Sequence, residues 1–141
     1  MIYKATKLIQ TQFKDAGIKC NSRELGNFSM VEAAFTGKNC NVTIRFISDD
    51  NGNGVKALTD NFAKYSRQQL SKGYEIINAL NKKYKYAKFT MDTDGDICAE
   101  YDFPTTIKDE SVGTVAVEIV LRFAQIVDEA YPEIMKSVWS R

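Results

Sequence analysis

The chain contains no histidine. That removes the Ser–His and Cys–His nucleophile pairings, most zinc sites and the usual general base near neutral pH. Carboxylates, lysine, cysteine and tyrosine could catalyse only in environments that perturb their pKa values, and such environments are invisible in sequence. Cysteine is scarce as well. Cys20, Cys40 and Cys98 are an odd number without C-x-x-C spacing, so reduced thiols are expected rather than a disulfide framework or paired zinc ligands. No apolar run approaches the roughly 18–20 residues that span a bilayer, and the opening MIYKATKLIQTQF lacks a signal peptide's continuous apolar stretch. Nor does one sign of charge prevail: 19 basic and 18 acidic residues leave a formal net charge of +1, which gives no steering toward nucleic acid or an anionic membrane. A cytoplasmic protein with neither of those partners is expected.

At 141 residues, with 44% hydrophobic and 26% charged residues, the chain has average globular composition and can bury a real core. One domain over residues 1–141 is expected. No repeat, low-complexity tract or linker divides it.

Two hairpins are legible almost to the residue. From Phe28 to Ser48, Val31, Ala33 and Phe35 share one face, as do Val42, Ile44 and Phe46. A four-residue loop, Gly37 to Cys40, pairs Thr36 with Asn41, Phe35 with Val42, Ala33 with Ile44 and Val31 with Phe46. The same register sets Glu32 opposite Arg45, which favours it by a few tenths of a kcal/mol up to about 1. In the later hairpin, Ala87, Phe89 and Met91 alternate on one side, and Ile97, Ala99, Tyr101 and Phe103 on the other. A two-residue Asp94–Gly95 loop would mismatch every face. A three-residue loop, Thr93 to Gly95 with Gly95 left-handed, pairs Met91 with Ile97, Phe89 with Ala99, Ala87 with Tyr101 and Lys88 with Glu100.

Ile2 to Ala16 predicts an amphipathic helix with Ala5, Leu8, Ile9, Gln12, Phe13 and Ala16 inward and Gly17 closing it. DDNGNG, Asp49 to Gly54, is a turn. Val55 to Phe62 fits helix and strand equally by periodicity. Leu70, Gly73, Ile77, Leu80 and Tyr84 mark a helix over about 66–84. From Ser111 onward, Val112, Val115, Ala116, Ile119, Val120, Phe123, Ile126 and Val127 mark another, with Glu118, Arg122, Gln125 and Glu129 opposite. Pro132 is expected to interrupt it and start a last turn. Hairpins beside segregated helices mean an antiparallel α+β domain.

A helix ending INALN, then KYAKFTMDTDGDICAEYDFP, then a helix ending IVDEAYPEIM resembles the YbjN family of bacterial sensory transduction regulators. The likeness runs from about Ile2 to Val138 and is sharpest from Ile77 to Met135. It implies a fold like that of type III secretion chaperones, in the order α-β-β-β-α-β-β-α and often dimeric, and that order selects strand for Val55 to Phe62. It implies no catalytic residues. Fold alone does not fix function.

Several motifs invite chemistry and decline it. Asp92, Asp94 and Asp96 around Gly95 suggest a calcium loop, but a frame with Gly95 sixth puts Tyr101 where the bidentate Glu belongs. A solvated acidic turn is expected. NKKYKYAK, Asn81 to Lys88, mixes lysines with tyrosines as a single-strand nucleic-acid site would, yet Lys88 is engaged by Glu100 and the acidic turn is near, so a solvated helix end is the reading. Tyr3/Lys7 and Tyr84/Lys88 have a reductase spacing without a dinucleotide turn. NGNG lacks a phosphate loop's Lys. Cys98, on the outer face opposite Thr90, has no base beside it. No cofactor is expected.

What remains points to interaction. Met30 falls opposite Ile47 on the outer face, beside Glu32 and Arg45. Either a helix of the same chain covers this pair, or it forms part of a dimer or client surface. Trp139 either is a second anchor of such an interface or packs on its own core. The expectation is a non-enzymatic protein-binding regulator, homodimeric, with a small-ligand sensor pocketed between the sheet and the C-terminal helix as the alternative.

Overall fold

In the computed structural model, which describes residues 1–49, 54–104 and 110–140, the two hairpins anchor one antiparallel sheet. The elements are α1 (Lys4–Asp15), β1 (Asn21–Leu25), β2 (Phe28–Thr36), β3 (Asn41–Ser48), β4 (Val55–Thr59), β5 (Ala63–Lys64), α2 (Leu70–Lys83), β6 (Lys88–Met91), β7 (Asp96–Phe103) and α3 (Val112–Trp139). The sheet has seven strands in the order β1-β2-β3-β4-β7, with β5 and β6 also paired to β7.

Both hairpin registers are as the sequence predicts. Glu32 faces Arg45 and Met30 faces Ile47 in β2–β3, while Lys88 faces Glu100 and Met91 faces Ile97 in β6–β7. Gly95 takes a φ of 88°. The β6 ladder stops at Lys88, one residue short of the expected Ala87–Tyr101 pair, and Tyr86 just before it has a φ of 69°. Val55 to Thr59 is a strand, shorter than expected; the Asp60 N–H still donates to the Thr43 carbonyl at 3.2 Å, and after an irregular stretch the chain rejoins β7 at Ala63–Lys64. The expected order is present with two strands added, β1 and β5. Of the expected turn between β3 and β4, residues 50–53 lie outside the described residues.

The three α-helices among the described residues cover one face. Phe13 of α1 meets Phe46 at 5.4 Å between ring centroids, Phe123 of α3 meets Tyr101 at 5.8 Å, and Tyr84, just past α2, meets Phe89 at 6.3 Å. The core between the layers holds Ile9, Val31, Ile44, Ala57, Ile97 and Val120 among others. The buried stripe of α1 is Thr6, Ile9 and Phe13, with Ala5 only half-buried and Ala16 exposed. Thr6 goes inward because two hydroxyls await it: its Oγ1 lies 2.7 Å from both Ser29 Oγ and Ser48 Oγ. Val115, expected inside, is exposed.

Pro132 does not interrupt α3, which is continuous from Val112 to Trp139. Proline cannot donate to the carbonyl four residues back, here Asp128. Asn39 supplies the missing donor, its Nδ2 reaching the Asp128 carbonyl at 3.0 Å. The Asp128 carboxylate in turn accepts the backbone N–H groups of Lys38, Asn39 and Cys40 at 3.2, 2.7 and 3.0 Å. A Cβ on Gly37 would collide with that carboxylate, so glycine is required for the β2–β3 turn to close on α3.

The far edge of the sheet is sealed by a side chain. Asp92 N–H donates to the Asp96 carbonyl at 3.1 Å. By alternation this turns the Phe89 N–H and C=O away from β7. Asn81 of α2 takes both, accepting from Phe89 N–H at 2.7 Å and donating to its carbonyl at 3.1 Å. An amide thus stands where a neighbouring strand would, which blunts the edge against pairing.

Two outcomes follow. The three N–H donors hold the Asp128 carboxyl below its ordinary value of 3.8. A lowered folded-state pKa means stabilisation that is complete above the ordinary value and is lost as pH falls below it. Asp128→Asn should therefore lower the urea midpoint at pH 7 and flatten its decline between about pH 4 and pH 2, the carboxylate titration range. Equal acid slopes in the two proteins would refute this. Asn81→Ala should cost about 1 kcal/mol and raise light scattering on mild heating, because β6 is then open to pairing.

Candidate functional site

The sheet face opposite the helices carries the charges. Arg23 Nε lies 2.7 Å from Glu32, Arg45 Nε lies 3.5 Å from the same carboxylate, and Arg45 also pairs with Asp60. A second run joins Lys88 to Glu100 at 3.3 Å, Glu100 to Lys56 at 3.5 Å and Lys56 to Asp102 at 3.8 Å. Four cations and four anions balance, so this face attracts neither polyanion nor polycation. Individual pairs this exposed contribute about 0–1 kcal/mol; their stronger effect is to fix strand register.

At one corner the charges give way to a groove of about 730 Å³ lined by Leu25, Phe28, Met30, Ile47, Lys56 and Phe103 among others. The hairpin register builds it: Leu25 sits opposite Phe28, and Arg23, Met30, Ile47, Lys56 and Asp102 form one row across five strands. Among the described residues no helix covers the Met30–Ile47 pair. Met30 is nevertheless only 2% exposed and Ile47 is half-buried. The large exposed apolar surface is supplied by two residues that sequence reasoning passed over, Leu25 at 56% and Phe28 at 45%. Phe28 was visible as the start of a predicted strand; β1 was not, since NSREL shows no apolar alternation.

Trp139 is 81% exposed at the end of α3, so it does not pack on its own core. It belongs to the helical layer, whereas Met30, Glu32, Arg45 and Ile47 lie on the bare sheet face. The five candidate interface residues therefore divide between two surfaces. The space between sheet and α3 is filled by the core, leaving a crevice of about 220 Å³ by Phe35, Cys40 and Leu121. A shallow cleft of about 500 Å³ between α2 and α3 is lined by Lys72, Glu75, Ile76 and Lys136 among others.

The remaining candidates make contacts within the fold. Asp92 Oδ1 accepts the N–H groups of Asp94 and Asp96 at 2.9 and 3.0 Å, so one carboxylate of the acidic turn holds the turn itself. Burial pushes the Cys20 and Cys40 thiols up, and for Cys40 the Asp128 charge adds to the effect. Both stay protonated near neutrality and are poor nucleophiles. Cys98 lies 3.2 Å from Thr90 Oγ1. In the basic segment, Lys83 pairs with Glu133 at 2.9 Å and Lys88 with Glu100.

The fold and its surfaces define an antiparallel α+β protein distinguished by a sheet face of balanced charge that no helix covers among the described residues, and by an apolar corner groove. The chain belongs to the YbjN family, described as "Putative bacterial sensory transduction regulator", whose family model matches residues 6–135. A regulatory role is what that family indicates. No curated protein matches the chain. No helix among the described residues is long and apolar enough to cross a membrane.

Truncations separate the roles of the groove residues. Met30→Ala should destabilise by about 2 kcal/mol, as loss of a buried methionine does, while Phe28→Ala should change stability by less than about 0.5 kcal/mol. Urea denaturation of both variants checks this, and equal losses would make Phe28 a core residue.

Proposed function

We propose that this chain is a non-enzymatic regulatory module of the cytoplasm that binds another protein through the corner groove and self-associates as a homodimer through the end of α3. The observation that carries the reading is the groove, where Leu25 and Phe28 expose apolar surface beside the buried Met30. Contiguous exposed apolar surface rimmed by charge is characteristic of docking sites. The neutral ion ladder beside it would set orientation rather than affinity. Trp139, with four-fifths of its surface in water, supports the dimer half, since tryptophan is enriched among interface hot spots. The chaperone-like fold implied by the family resemblance is in keeping with client binding.

The small-ligand alternative is less well supported. The crevice between the sheet and α3, at about 220 Å³, falls below the ~300–1,000 Å³ of ordinary ligand sites.

Sedimentation and affinity capture test the two halves separately. The wild type should sediment as a dimer at micromolar concentration and Trp139→Ala as a monomer. A partner captured by the wild type from extract of its own cells should be lost with Leu25→Ser/Phe28→Ser and kept with Trp139→Ala. A wild-type monomer throughout would remove the dimer. A partner that binds the groove variant as well as the wild type would remove the groove.

A further inference from the structure

The groove opens onto a sheet edge beside which no further strand lies among the described residues. Gly37 N–H donates to the Cys40 carbonyl at 2.8 Å, which fixes the alternation along β2: Phe35, Ala33, Val31 and Ser29 bond to β3, and Phe28, Met30 and Glu32 bond to β1. Their β1 partners are Leu25, Arg23 and Asn21. The N–H and C=O groups of Ser22 and Glu24 must then point away from the sheet. Among the described residues no strand lies on that side, because β1 ends the strand order. The side chains of Ser22 and Glu24 are directed elsewhere: Ser22 Oγ donates to Gln10 at 3.0 Å and Glu24 pairs with the N-terminal ammonium. The two sheet edges thus differ, one sealed by Asn81 and the other open beside exposed Leu25 and Phe28.

We propose that β1 is a docking strand. An extended segment of a partner protein adds to it, making up to four main-chain hydrogen bonds with Ser22 and Glu24. One of its side chains enters the groove beside Leu25, and the side chain two residues away lies beside Arg23. Arg23 engages Glu32 through Nε, leaving the rest of its guanidinium fork for a second carboxylate. The segment recognised therefore carries an acidic residue and an apolar residue at positions i and i±2. This inference rests on the groove reading above and names its partner.

A second copy of the chain fits this edge poorly. Pairing that uses both Ser22 and Glu24 of each copy centres on Arg23 facing Arg23, and pairing centred one residue later sets Glu24 against Glu24. Like charges directly opposite destabilise a strand pair. Centring on Ser22 leaves Glu24 beyond the end of the partner strand.

The probe is the blocked peptide Thr-Thr-Phe-Thr-Glu-Thr-Thr, which in antiparallel pairing sets Phe beside Leu25, Glu beside Arg23 and a Thr opposite each of Glu24 and Ser22, titrated into the full chain and followed by amide NMR. Saturable shifts and slowed hydrogen exchange at the Ser22 and Glu24 amides are expected. Glu24→Pro removes an outward N–H, a change edge strands tolerate, together with the exposed carboxylate that pairs with the N-terminal ammonium, and should weaken binding at least tenfold with the fold intact; Glu24→Gln, which keeps the N–H, should bind as the wild type does. N-methylating the peptide at the positions facing Ser22 and Glu24 should do the same without altering the protein, which covers a failure of the proline variant to fold. Exchanging the peptide Glu for Lys should weaken binding several-fold. Shifts confined to β6 or α2, undiminished binding by the N-methylated peptide, or no saturable binding at millimolar peptide would overturn strand addition. Self-association of the free chain that Glu24→Pro abolishes would overturn the choice of partner. If N-methylation has no effect while Leu25→Ser/Phe28→Ser still eliminates binding, the groove stands and only the strand mode falls.

Discussion

A sheet whose described helices all lie on one side must settle by other means what burial settles elsewhere: what its other face shows to water, and what its edge strands do with unpaired amides. Most of this molecule's distinctive chemistry answers those two demands. The bare face is covered by its own ion pairs, running from Arg23 through Glu32 and Arg45 to Asp60, and from Lys88 through Glu100 and Lys56 to Asp102. The charges in these pairs balance one another. The edge at β6 is closed by the Asn81 amide. The edge at β1 is not closed, and the ladder fails at that same corner, where Leu25 and Phe28 replace charge.

The second organising contact ties the layers together. Asp128 lies one turn before Pro132, and the defect that proline leaves in α3 is repaired from the β2–β3 turn rather than from within the helix. The same aspartate gathers three N–H groups of that turn. A helix-breaking residue is thereby accommodated in a 28-residue helix, and the turn is pinned where Gly37 alone fits. Sequence position, helix continuity and interlayer packing meet in one carboxylate and one carbonyl.

The functional reading depends on the contrast between these well-satisfied regions and the corner that is not. Thiols raised by burial, an acidic turn that consumes its own carboxylate and a balanced ladder are the chemistry of structure. The corner groove stands apart, since nothing in the described residues uses its exposed apolar area. Membership in the YbjN family is compatible with such a surface, and recognition through main-chain hydrogen bonds would let it accept segments of varied sequence.

Local alternation and facing charges were enough to determine both hairpin registers, because a slip by one residue would send Val31, Ile44 or Phe89 to the wrong face. Composition likewise excluded histidine chemistry, and the residue pattern carried the family. The sequence could not disclose β1, whose five residues show no apolar alternation and become a strand only because β2 offers them partners. It could not disclose that Pro132 is tolerated, since the donor that rescues it comes from Asn39, 89 residues before the Asp128 carbonyl it reaches. Nor could it say which face of the Met30–Ile47 row would stay uncovered. Helix placement, edge closure and the groove are decided by contacts between distant segments, and those exist only once the layers have packed.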